Sequence, residues 1–180
     1  VFLSIDGVLE IPDEYNNMPV TAISRYGFMC SSFNKVVISN SITTIGSYAF
    51  GQCERLTSFE IGEAVTTIET GVFAWCFKLV EIYNKSSLEL TVGGEDENQI
   101  GYYAKAIYTE PYESRVTVDE NGYMLYTDGN MISLIGYKGT ETNLILPENI
   151  TEINNGAFKD SSSLASVVIP DSVTSIKDYA

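Results

Sequence analysis

Histidine is absent from all 180 residues. Its absence removes Ser-His-Asp and Cys-His nucleophilic arrangements, imidazole zinc ligation and histidine general acid–base chemistry together. Positive charge is scarce as well: 10 Lys and Arg stand against 24 Asp and Glu, a formal net charge of −14. A surface of that sign repels phosphate backbones and anionic headgroups, so nucleic acid and anionic membranes are poor partners. Long apolar runs are missing. Those around Met131-Ile132 and Leu134-Ile135 fall far short of the roughly 20 residues of a membrane span, and no direct membrane insertion is expected. Nor does a secretory leader stand at Val1-Phe2-Leu3, which opens inside a structured pattern.

What is present is the material for a core, arranged as a repeat. Hydrophobic residues make up 44% of the chain, which argues against disorder. The clearest copy reads Ile42-Thr-Thr-Ile45, then Ala49-Phe50, Cys53, Leu56, Phe59 and Ile61. Next come Val65-Thr-Thr-Ile68, Val72-Phe73, Cys76, Leu79, Ile82 and Asn84. A third copy is Ile150-Thr-Glu-Ile153, Ala157-Phe158, Ser161, Leu164, Val167, Ile169 and Pro170. An earlier one, Val20-Thr-Ala-Ile23, Gly27-Phe28, Cys30, Phe33, Val36 and Ile38, is one residue shorter between Phe28 and Cys30.

The period is about 23 residues, in the range of leucine-rich repeats. In each unit a piece such as Leu56-Thr-Ser-Phe59-Glu-Ile61 alternates apolar and polar side chains, the period of a strand. The Val65-Thr-Thr-Ile68 piece suits a tight turn or a second short strand. The Ala-Phe pair suits a one-turn helix, with Phe as the plug of its layer. No unit can bury its apolar edge alone, but stacked units make one continuous core. The first and last pieces, Leu9-Glu-Ile11-Pro12 and Val173-Thr-Ser-Ile176, look like parts of units, which leads one to expect a longer array.

The frame Val/Ile-Thr-x-Ile-x-x-x-Ala-Phe-x-x-Cys-x-x-Leu-x-x-Val-x-Ile-Pro-x-Ser resembles the BspA-type leucine-rich repeat family. The matches are best over Ile42 to Ile61, Val65 to Ile82 and Ile150 to Ser172. The resemblance implies a β-rich solenoid from a secreted or cell-surface bacterial protein that attaches to glycoproteins or other cells. It supplies no shared catalytic residues. Ser161 in place of Cys and a long interruption after Asn84 depart from the pattern.

Cys30, Cys53 and Cys76 are evenly spaced, 23 apart. That spacing would suit disulfides or a metal, yet side chains on stacked coils run parallel and do not point at one another. The expectation is a ladder of small buried thiols at one repeat position.

From 85 to 143 the frame lapses, which divides the chain into a repeat block over 1–84, an insert over 85–143 and a second repeat block over 144–180. Within the insert, Ser87 to Val92 alternates like a strand. Ile100, Tyr103, Ala104 and Ile107 have helical spacing, and Tyr123–Tyr126 with Met131–Tyr137 flank the turn signal Asp128-Gly129. Seven tyrosines lie here (Tyr102, Tyr103, Tyr108, Tyr112, Tyr123, Tyr126 and Tyr137) and suit either a binding surface or packing of the insert on the coils. The acidic run Glu95-Asp96-Glu97 lacks the alternating ligands of a calcium loop and reads as solvated.

The function expected is a non-catalytic binding or adhesion module, taking a protein or glycoprotein partner on the outward side chains of its strands. Those are Lys35, Val37, Ser58, Glu60, Glu81, Tyr83, Ser166 and Val168. No cofactor, metal or catalytic residue is assigned, and a monomer is expected. A passive spacer in a larger surface protein is the alternative. A carboxylate-based glycosidase is a remote one, because no acidic pair is framed by a motif.

Overall fold

The computed structural model describes residues 4–5, 7–94, 100–159 and 161–180. It divides into two compact units, residues 1–112 and 113–180. The acidic run Glu95-Asp96-Glu97 lies outside the described residues.

The first unit is a β-solenoid. Strands Val8–Ile11, Lys35–Ile38, Ser58–Ile61, Glu81–Asn84 and Ala106–Tyr108 run parallel in one sheet, with Ser4–Ile5 antiparallel on its first edge. Register is set by alternation. Leu9, Val36, Phe59, Ile82 and Ile107 stand in line across the five strands, and the first four are at most 1% exposed. A one-residue slip would turn that row into water, so the apolar pattern holds each coil in place. The Thr-Thr-Ile piece forms a second, narrower parallel sheet from Ala22–Ile23, Thr44–Ile45 and Thr67–Ile68. The Ala-Phe piece is a succession of turns; no helix occurs among the described residues.

These turns hold the aromatic plugs in a column. Phe28 stacks on Phe50 at 5.4 Å, and Phe50 on Phe73 at 6.1 Å. Phe59 meets Phe50 and Phe73 edge-on at 5.0 and 4.5 Å. Phe50 is fully buried. Offset-stacked and edge-to-face contacts add to the burial of apolar area, which is the main stabilising term here.

The cysteines correct one expectation. Cys53 and Cys76 are buried, but Cys30 is exposed. The amides of Ser31, Cys53, Cys76 and Ser161 each donate to the carbonyl of the Phe three residues earlier, so Ser31 and not Cys30 occupies the ladder position. Cys30 falls instead with Gln52 and Trp75, which share its left-handed backbone at φ 59°, 57° and 60°. The missing residue of that repeat lies between Ser31 and Phe33, which makes the even cysteine spacing a coincidence.

The ladder has a use for a small donor. The Cys53 thiol donates to the Phe28 carbonyl at 3.3 Å, and the Cys76 thiol to the Phe50 carbonyl at 3.0 Å, so each ties its coil to the one before. Burial pushes the Cys76 thiol up, which keeps it protonated as a donor. Cys76→Ala should cost about 1–2 kcal/mol, through a small cavity and an orphaned carbonyl. Cys76→Ser, which restores a small donor of the kind Ser161 carries at the same repeat position, should recover much of it. Urea denaturation of the two variants checks this; equal losses would remove the hydrogen bond from the account.

The segment after Asn84 departs from expectation in two places. Ser87–Val92 forms no strand, although Leu88 and Leu90 pack on the core. Residues 100–107 form turns and then the strand Ala106–Tyr108, not a helix. Ile100 and Ala104 face the core from those turns. The parallel pairing of Glu81–Tyr83 with Ala106–Tyr108 shows that one more coil follows Asn84.

The second unit begins with an antiparallel meander: Val116–Val118, Tyr123–Asp128 and Met131–Tyr137, the last two joined through Gly129 at φ 58° and Asn130. Met131–Tyr137 then pairs in parallel with Glu152–Ile153, and that strand with Ser175–Ile176. A separate parallel pair joins Asn143–Ile145 to Ser166–Val168. Tyr123, Leu134, Leu144, Leu146, Ile150, Ile153 and Ala157 form its core.

Candidate functional site

The outward positions of the first unit make two rows. Lys35, Ser58, Glu81 and Ala106 stand side by side across their strands, as do Val37, Glu60, Tyr83 and Tyr108. Neighbours in a row are about 4.8 Å apart, the spacing of paired strands, so side chains in the same row can touch directly.

Only part of this surface is open. Lys35, Val37, Glu60 and Tyr83 are half-buried, whereas Ser58 is 8% exposed and Glu81 fully buried, against the expectation that both face water. The cover comes from later in the chain. Tyr112 stacks on Tyr108 at 3.8 Å, meets Tyr83 edge-on at 5.9 Å and hydrogen-bonds Glu81. Its hydroxyl is held well above the ordinary phenol range, first by burial and then by the charge of Glu81.

A second cluster lies beside it. Lys85 forms an ion pair with Glu60 and sits 5.3 Å from the centre of the Tyr83 ring. The hydrogen bond to Glu60 raises the Lys85 ammonium above its usual range. Glu60, Tyr83 and Lys85 thus present a carboxylate, a ring and an ammonium together. Such an arrangement suits polar and planar contacts with a protein surface.

Ser166 and Val168 belong to the second unit. Both are exposed, and the Ser166 hydroxyl donates to the Asn143 side chain at 2.8 Å. Sequence reasoning missed Lys85, and it named Tyr108 and Tyr112 only among the tyrosines of the interruption, without placing them at the strand face. One signal for Tyr108 was available: Leu88 follows Val65 by one repeat, which carries the frame on towards Ile107. Among the described residues, no group of three or more Cys, Asp or Glu is placed to hold a metal ion.

Comparison with known proteins places these coils. The family described as "BspA type Leucine rich repeat region" matches six copies, over residues 16–92 and 137–180. The chain is similar to a leucine-rich repeat protein of T. pallidum, at 20% identity with a TM-score of 0.44, covering 96% of this chain and 69% of that one. It is similar to a leucine-rich cell surface protein of Faecalibacterium prausnitzii, at 19% identity and a TM-score of 0.38, covering 96% and 66%. A leucine-rich repeat protein of Eubacterium ventriosum follows at 17% identity and 0.40, covering 98% and 59%. The chain spans less than two thirds of the length of the last two. No curated protein matches it.

Proposed function

The chain belongs to the BspA-type leucine-rich repeat family, and from that premise we propose that it is a binding module of a bacterial cell-surface protein. The partner is a protein or glycoprotein, met on the open part of the strand face. One observation carries this reading. Glu60, Tyr83 and Lys85 gather three complementary chemistries on adjacent outward positions of a rigid sheet. Parallel strands locked by a packed core hold them with little entropy left to lose on binding.

The module acts without catalysis, as a monomer, and its family supplies no reacting group. The spacer reading draws on a different observation: Tyr112 already occupies Glu81, and Lys85 already pairs with Glu60, so much of the face satisfies itself.

The two readings part in one experiment. The double variant Glu60→Ala, Tyr83→Ala is compared with the parent on a panel of immobilised extracellular-matrix and serum glycoproteins. A binding face predicts retention lowered by about tenfold or more on whichever glycoprotein holds the parent. The melting temperature should fall by only a few degrees, because both side chains are half-buried on the outward face and neither belongs to the core. Undiminished retention, or no retention of the parent by any member, favours the spacer.

A further inference from the structure

A column of exposed rings climbs the turns of the first unit, away from the strand-face residues. The Arg25 guanidinium lies over Tyr26 at 4.6 Å, Tyr26 stacks on Tyr48 at 5.7 Å, and Tyr48 on Trp75 at 6.5 Å. Tyr26 and Trp75 are nearly half exposed. All three rings are carried on left-handed backbone, at φ 59°, 55° and 60°. That conformation is easy for glycine and rare for aromatic residues. At the position equivalent to Tyr26 and Tyr48 the next coil has Gly71, where a Cβ would stand 2.7 Å from the Tyr48 ring. The Tyr48 ring lies against this glycine, so the column has no third tyrosine.

Beside it lies a cavity of about 340 Å³, walled by Tyr48, Trp75, Tyr102 and Tyr103, with Thr70 and Gly71 at its side. No lining side chain is charged. Glu69 stands next to Thr70, and its carboxylate accepts from the Ser47 amide and hydroxyl at 2.8 and 2.6 Å. The chain as a whole carries −14.

We propose that this aromatic cavity is a binding site for a quaternary ammonium group, such as a choline headgroup. Ring faces attract cations through their quadrupole, and the far end of the same column already holds one in Arg25. The negative field of the chain draws a cation in. The walls decide which cation. A primary ammonium is strongly hydrated through its N–H donors, and no lining carboxylate stands ready to replace that water. A trimethylated nitrogen has no N–H to satisfy and presents methyl groups to the rings.

The test uses the position of the chain's one tryptophan. Trp75 fluorescence is followed while choline chloride is added at constant ionic strength, in parallel with 3,3-dimethylbutan-1-ol, its uncharged isostere. The expected result is a saturable change with choline and binding about tenfold or more weaker for the isostere. Tyr102→Leu, on an exposed ring, should weaken choline by about fivefold or more with the melting temperature kept. Co-sedimentation with phosphatidylcholine and phosphatidylglycerol vesicles then separates sources. Retention by phosphatidylcholine alone assigns a bilayer headgroup, and choline binding without retention assigns a soluble ligand. No saturable response, equal affinity for the isostere, tighter binding of methyl glucoside, or an unaffected Tyr102→Leu variant would each overturn the site.

Discussion

Phe50→Ala lowers stability by about 3–5 kcal/mol in urea denaturation. The magnitude follows from position. Phe50 is fully buried, stacked between Phe28 and Phe73 and met edge-on by Phe59. Alanine removes the ring and leaves a void that the three neighbouring rings, held by the packing of their coils, cannot collapse to fill. Stacked coils meet only their neighbours, so the damage should be felt first in the flanking layers. Phe28, which is half-buried at the first end of the column, serves as the internal comparison. Phe28→Ala should cost clearly less than Phe50→Ala. A loss below about 1 kcal/mol at Phe50 would mean that the column does not hold the coils together.

Leu134→Ala in the second unit should cost about 2–5 kcal/mol. Leu134 is fully buried where two kinds of pairing meet: antiparallel to Leu125 and parallel to Ile153. Its backbone carbonyl accepts from the Asn154 amide at 2.9 Å, and the Ile132 carbonyl accepts from Thr151 at 2.9 Å. Loss of the side chain should therefore weaken hydrogen-exchange protection at Thr151 and Asn154 as well as overall stability. Unaltered protection at both amides, together with a small stability loss, would show that the meander and the coils do not share a core.

The repeat was legible because its physics is periodic. Phe28, Phe50 and Phe73, or Val36, Phe59 and Ile82, recur at one coil's length, and a packed column needs that recurrence. Three features escaped for the opposite reason. Cys30 kept the numerical spacing of the other cysteines, but a one-residue deletion after Ser31 put a serine at the true ladder position. Ile100, Tyr103, Ala104 and Ile107 carry a helix-like spacing. A turn followed by a strand uses the same offsets, and only the pairing of Ile107 with Ile82 separates the two. On the strand face, Lys35, Val37, Glu60 and Tyr83 could be found by alternation. The burial of Glu81 could not, because its cover arrives from Tyr112, beyond the next coil and outside any local pattern.

The meander at the start of the second unit changes strand polarity on one side of Met131–Tyr137 and keeps it on the other. The outer strand of the meander, Val116–Val118, is three residues long and antiparallel to its own neighbour. So short a strand offers few backbone groups to any further one, and the sheet tapers on that side where the coils on the other side repeat.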